Sequence, residues 1–148
     1  MAPIEILLIE DNPDDVDLTV EAFRAITRPT RLNVVENGAD ALAYLRKETV
    51  FRSAHRPDLI LLDLNLPGRS GHEVLGDIKG NPAFRVIPLI ILTSSSAPSD
   101  VERSYELAAN CYITKPHSLE GFEQVARRIE RFWLEAVALP PREELEGS

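Results

Sequence analysis

Leu59-Ile60-Leu61-Leu62-Asp63-Leu64-Asn65-Leu66-Pro67-Gly68 is the stretch that decides the fold. Its apolar run reads as a buried strand, Pro67-Gly68 turns the chain, and Asp63 puts a carboxylate where the strand breaks. Three other runs end the same way. Ile4 to Ile9 leads into Glu10 and Asp11, Pro88 to Leu92 into Thr93 and Ser94, and Cys111 to Thr114 into Lys115. In an open parallel α/β sheet the C-terminal strand ends share one edge, where ligands bind. The four sets of polar residues are therefore expected to meet.

Between these runs lie segments of helical period, the pattern of five βα units. Asn12 reads as an N-cap with Pro13 at the first helical position, and Val16, Val20 and Phe23 recur on one face. Arg31 to Glu36 alternates like a strand, and Asn37-Gly38 opens a helix with Ala41, Leu42 and Leu45 inward. Glu48 to Pro57 has no period and reads as a long loop. Val74, Leu75 and Ile78 mark a short helix stopped at Gly80-Asn81-Pro82. After the Ser94 to Asp100 loop, Ser99 or Asp100 is expected to cap a helix whose inner face is Val101, Tyr105 and Ala108. Ser118 caps a last helix with Phe122, Val125, Ala126 and Ile129 inward. Residues 1–139 then form a single domain and 140–148 a mostly polar tail.

A chain of 148 residues suits one domain with a full core and is short for a catalytic domain plus an output domain. No apolar stretch approaches the ~18 residues of a membrane span, and Met1-Ala2-Pro3-Ile4-Glu5 does not start like a signal peptide. The expected location is the cytoplasm, with no membrane partner. Cys111 is the only cysteine, which rules out an internal disulfide and a multi-cysteine zinc site, and the three histidines show no ligand spacing. A formal charge of −8 argues against DNA, whose phosphates call for a basic face. Cations or protein partners fit better.

Glu10, Asp11 and Asp63 supply hard oxygen ligands at high negative charge, which suits Mg²⁺ or Mn²⁺. Lys115 can reach across the strand ends to neutralise part of that charge. A carboxylate surrounded by a metal, a lysine and a hydroxyl is what phosphoryl transfer requires, with Asp63 as nucleophile and Lys115 and Thr93 on the phosphoryl oxygens.

Ile9-Glu10-Asp11-Asn12, Leu61 through Gly68, Leu92-Thr93-Ser94 and Tyr112-Ile113-Thr114-Lys115-Pro116 resemble the successive signatures of receiver domains of two-component response regulators, over roughly residues 4 to 136. The resemblance implies a flavodoxin-like, doubly wound five-stranded sheet of order 2-1-3-4-5 with five helices. It implies phosphorylation of Asp63 by a sensor histidine kinase. It further implies a divalent ion on Asp11, Asp63 and the backbone carbonyl of Asn65, with Glu10 acting through water. Thr93 and Tyr112 take the switch positions, and Lys115-Pro116 resembles the family's cis peptide. Such a protein is a phosphoacceptor with Mg²⁺-dependent self-phosphorylation and self-dephosphorylation chemistry rather than a conventional enzyme. Glu10 departs from the Asp that many members carry, which lengthens one arm of the acidic pocket.

A narrower similarity is to stand-alone receivers that partner bacterial phytochromes, and lies in the segment before Pro57, in Asn65, in Tyr105 with Ala109-Asn110-Cys111-Tyr112, and in Phe132-Trp133-Leu134. It implies a phytochrome as the kinase and, as in some of these regulators, a homodimer through the last helix and its neighbours. Ile129, Phe132, Trp133, Leu134, Ala136 and Val137 are more than one inward stripe can hide, so an outward apolar surface is expected. The competing expectation is that Trp133 and Phe132 fold back over the helix end, or that Leu139 and Pro140 cover them.

Plainer roles compete elsewhere too. Asp14, Asp15 and Asp17 sit in a helix's first turns, where acids favour the positive dipole end, so they read as capping residues and not ligands. A flavin module would need a phosphate-wrapping first loop, which Glu10-Asp11 would repel. An aspartyl phosphatase would need a general acid where Asn65 stands. A phosphorylation-independent pseudo-receiver would not need an intact pocket.

Overall fold

The four apolar runs and the alternating segment are all strands. The computed structural model describes residues 2–141, so of the expected tail only Pro140 and Pro141 lie within the described residues. Strands β1 (Ile4–Ile9), β2 (Thr30–Val35), β3 (Leu59–Leu62), β4 (Leu89–Thr93) and β5 (Cys111–Thr114) alternate with helices α1 (Pro13–Arg24), α2 (Gly38–Arg46), α3 (Gly71–Lys79), α4 (Pro98–Glu106) and α5 (Leu119–Ile129). All pairings are parallel and the order is β2-β1-β3-β4-β5, the flavodoxin-like arrangement.

Side chains alternate across the sheet and feed two cores. Leu7, Ile9, Ile60 and Leu62 pack with Val74, Leu75 and Ile78 of α3 and with Ala41, Leu42 and Leu45 of α2. Ile6, Leu8, Leu59 and Leu61 pack on the other side with Phe23 of α1 and with Phe122, Ala126 and Ile129 of α5. Each such aliphatic side chain contributes about 1.5–3 kcal/mol on burial, so the central strands are held rigidly from both faces.

Register then sets the site. Ile9 pairs with Leu62, which brings Glu10 and Asp63 level at the next position. Thr93 pairs with Thr114, one residue before Lys115, whose N–H donates to the Thr93 carbonyl at 2.7 Å. Gly71 completes the frame: its N–H donates to the Leu64 carbonyl at 2.9 Å, and a Cβ there would lie 2.4 Å from the Leu64 Cα and 2.5 Å from the Asp63 carbonyl oxygen. Only glycine lets α3 start against the strand end that carries Asp63.

Several local expectations need correction. The strand expected at Arg31 to Glu36 starts and ends one residue earlier, and Thr49–Phe51 forms a 3₁₀ turn inside the segment read as loop. The cap of α4 is Ala97, with no side-chain capping bond; Pro98 stands at the first turn, and Asp100 is instead bonded by the Ser95 hydroxyl at 2.5 Å. Its inner face is not Val101, Tyr105 and Ala108. Ser104 is buried and Tyr105 is half exposed. Ala108 lies past the helix in the left-handed region (φ 73°), where its N–H bonds the Tyr105 carbonyl and that of Ala109 bonds Ser104, a Schellman closure. The Lys115–Pro116 peptide is trans, as are all the peptide bonds described. Three carboxylates aim the lysine inward without the cis isomer.

Beyond α5 the helix widens. Glu130–Ala136 is π-wound, closed by the Val137 N–H on the Phe132 carbonyl, five residues back, at 3.0 Å. The expectations for this end are met in part on each side. Phe132 faces outward at 55% exposure, while Trp133 and Leu134 fold partly onto the second core beside Leu139.

Candidate functional site

At the C-terminal edge of the sheet the polar strand ends do meet, and Lys115 is their hub. Its Nζ lies 2.5 Å from Glu10 Oε1, 2.7 Å from Asp15 Oδ2 and 2.8 Å from Asp63 Oδ2. An ammonium has three protons, and each has a carboxylate. Lys115, Glu10 and Asp63 are all buried, at 7%, 2% and 5% exposure. One cation thus faces three carboxylates, and a fourth, Asp11, stands exposed beside them.

This imbalance sets the protonation of the site. Burial of Glu10, reinforced by the adjacent Asp63 and opposed by Lys115, pushes its carboxyl up to about 7. Burial acts on Asp63 in the same direction, but hydrogen bonds from Lys115 and from the Asn65 N–H, together with Glu10, hold it below the usual carboxylate range. Asp63 is therefore the carboxylate kept ionised, as a nucleophile must be. Burial opposes the charge on Lys115, yet its bonds to Asp15, Asp63 and Glu10 raise its pKa well above the ordinary lysine value.

A divalent cation fits these residues. Glu10, Asp11 and Asp63 each offer an oxygen, and those oxygens all lie within 4.8 Å of one another. The donor set is all carboxylate, and the lone lysine leaves it in negative excess; hard cations suit both conditions. Asn65 contributes its N–H to Asp63 Oδ1 at 3.1 Å.

Thr93 supplies a second sign of a missing group. Its Oγ1 is fully buried and has no hydrogen-bond partner among the described residues, a costly state for a hydroxyl unless something at the strand ends uses it. Tyr112, next to the β4 edge, donates its hydroxyl to the Ser95 carbonyl at 2.8 Å. Ser95 in turn holds Asp100, so the aromatic is fastened to the loop that follows Thr93.

The sequence-predicted residues Glu10, Asp11, Asp63, Thr93 and Lys115 thus converge, with Tyr112 and Asn65 at the margins. Asp15 was missed, because an acid at the third position of a helix reads as a dipole partner and nothing local reveals a lysine 100 residues away. Asp14 lies exposed in the first turn of α1, where the Asn12 side chain caps its N–H at 2.9 Å.

Known proteins share this arrangement. Residues 6–127 match the family model described as response regulator receiver domain. The response regulator Rcp1 of Synechocystis sp. is 44% identical over 138 residues, spanning 93% of this chain and 94% of that protein. The crystal structure of the phosphorylated cyanobacterial phytochrome response regulator RcpA superposes with a TM-score of 0.89 at 45% identity, covering 95% of this chain and all of that one. The Mn²⁺-bound form of Rcp1 gives 0.86 at 43% identity, covering 94% and 100%. With the strand order, the acidic cluster and these matches together, the chain belongs to the receiver domains of response regulators and is similar to those associated with phytochromes.

Proposed function

We propose that residues 1–139 act as a phosphoacceptor unit in which Asp63 takes a phosphoryl group from a phosphohistidine of a sensor kinase. The observation that carries this reading is the pairing of an ionised, buried Asp63 with a buried, unpartnered Thr93 hydroxyl and a saturated lysine at one strand edge. An Asp63 oxygen attacks phosphorus and the P–N bond breaks, with its electron pair leaving on the imidazole. Lys115 then pairs one phosphoryl oxygen and Thr93 donates to another. Asp11, Asp63 and the Asn65 carbonyl, with Glu10 through water, would hold a divalent ion, Mg²⁺ or Mn²⁺, which would supply charge neutralisation. Thr93 and Tyr112 form the switch: the Thr93 hydroxyl moves toward the phosphoryl group and frees the loop that Tyr112 grips. The same site carries self-phosphorylation from small phosphodonors and self-dephosphorylation by water.

The donor is a phytochrome histidine kinase, a reading supported by the similarity to RcpA, and the exchange takes place in the cytoplasm, where kinases form phosphohistidine from ATP. The test is phosphotransfer from an ATP-charged phytochrome kinase to wild type and to Asp63→Asn. Label on the wild type alone supports the proposal. Label on both moves the acceptor elsewhere, and stable binding without label makes the chain a pseudo-receiver.

A second copy of this chain is the proposed partner at the last helix. Exposed Phe132 borders a cleft of about 380 Å³ lined by Cys111, Ile113, Ile129 and Trp133, with Asn110 and Arg128 at its rim. An apolar surface of this kind favours association. Sedimentation at micromolar concentration, with and without beryllofluoride, is expected to show a dimer that Phe132→Asp disrupts; a strict monomer under both conditions contradicts it.

A further inference from the structure

We infer that Asp15 is a positioning residue for the phosphoryl transfer, holding the Lys115 ammonium in place while the other two carboxylates of the lysine are engaged elsewhere. The inference rests on the proposed role of Asp63. Its basis is that two sets of carboxylates overlap without coinciding. The lysine's set is Glu10, Asp15 and Asp63. The cation's set is Glu10, Asp11 and Asp63. Glu10 and Asp63 belong to both, so a divalent ion would compete with the ammonium for these two of its three partners, and a phosphoryl group would take up an oxygen of Asp63. Asp15 belongs to the lysine alone.

The geometry suits a fixed tether. Asp15 lies in the first turn of α1, where its own N–H bonds the Asn12 side chain at 3.2 Å, so its backbone is set by the cap. Its side chain crosses to the β5–α5 loop and is a quarter exposed, unlike the buried pair it joins. A lysine side chain has four rotatable bonds and much to lose on being ordered. One constant carboxylate on one ammonium proton leaves the other two protons for phosphoryl oxygen and keeps the head group on station. Without it, the lysine's remaining partners are those that the reaction occupies.

The experiment uses acetyl phosphate with saturating Mg²⁺ on wild type, Asp15→Ala, Asp15→Glu and Asp14→Ala. In each case an Asp63 oxygen attacks phosphorus, the bond to the acetyl oxygen breaks and acetate leaves. Asp14→Ala removes an acid from the same first turn without touching Lys115. Expected is a fall of about tenfold in kcat for Asp15→Ala with KM for acetyl phosphate little changed, the loss due to misplacement of one group. Asp15→Glu recovers most of the rate, and Asp14→Ala matches wild type. Two readouts do not depend on turnover. Mn²⁺ affinity, followed by electron paramagnetic resonance, stays near that of wild type in Asp15→Ala. The slowly exchanging ammonium signal of Lys115, assigned by its loss in Lys115→Met, persists in Mg²⁺-loaded wild type and broadens away in Asp15→Ala. A wild-type kcat in Asp15→Ala, an equal loss in Asp14→Ala, or no recovery in Asp15→Glu overturns the inference. A wild type that takes no phosphoryl group on Asp63 overturns the function on which it rests, and the inference with it; that outcome is told apart by its appearing before any Asp15 variant is compared.

Discussion

Two buried glutamates five residues apart, one in β1 and one just past its end, live in opposite conditions. Glu5, 3% exposed, has Arg31 at 3.0 Å on one oxygen and the Asn33 amide at 3.2 Å on the other. It has a cation to itself. Glu10, 2% exposed, accepts from the Asn12 N–H at 3.2 Å on one oxygen, but on the other shares a single lysine with Asp15 and Asp63, and it stands beside Asp11. Both carboxylates are buried to the same degree, so burial alone does not distinguish structure from function. The balance of charge does. At Glu5 the buried charge is neutralised; at Glu10 a surplus is left standing, and the Thr93 hydroxyl has no partner among the described residues, which is what the proposed function calls for.

The sharpest way to test this contrast is to remove the hub. Lys115→Ala leaves buried carboxylates without their cation and should cost about 3 kcal/mol in urea unfolding with chelator present. Excess Mg²⁺ should restore a large part of that loss, because the cation site draws on the same oxygens. An equal loss with and without Mg²⁺ would mean that the lysine acts only as a structural tie.

Glu5→Gln is the matching change at the other end of the strand. It weakens one ion pair to a half-exposed arginine but keeps a hydrogen-bonding side chain, so about 1–2 kcal/mol should be lost. Mg²⁺ should restore none of it, and the rate of phosphorylation by acetyl phosphate should be unaffected. A Mg²⁺-dependent rescue here would erase the distinction between the two glutamates.

The third test is pH. Glu10 ionises near 4.5 when unfolded and near 7 in the fold, chiefly because it is buried. Between those values the folded chain keeps a proton that the unfolded chain has lost. Stability without metal should therefore fall as pH rises from 4.5 to 7, and Glu10→Gln should flatten that slope. A rise over the same window in wild type relative to Glu10→Gln would contradict the assignment.

Much of this was visible in the sequence, for a physical reason. A central parallel strand is buried on both faces, so Leu59–Leu62 and Leu89–Thr93 read as continuous apolar runs and their polar ends stand out. Strand order was not visible in periodicity; it came with the family resemblance. Asp15 was hidden because its partner is remote and its local role is ordinary. The face of α4 was misjudged because its period was carried past Glu106 to Ala108, whose left-handed turn ends the helix, and because the residue that packs inward is Ser104, a polar side chain that donates its hydroxyl to the Asp100 carbonyl. The Lys79 ammonium donates to the Arg85 and Ile87 carbonyls and to the Asn110 side chain, tying α3 to the entry of β4 through contacts that no local pattern marks. The widened turn after Ile129 carries no sequence mark beyond an excess of apolar residues.

The central claim is that the unbalanced charge at the strand ends exists to put a phosphoryl group on Asp63. The most direct test is to incubate the protein with acetyl phosphate and Mg²⁺ and to read intact mass and fragment masses. One phosphoryl group on Asp63, absent from Asp63→Asn and from samples with chelator, is the predicted result. A phosphoryl group on another residue, or equal labelling of Asp63→Asn, would contradict it.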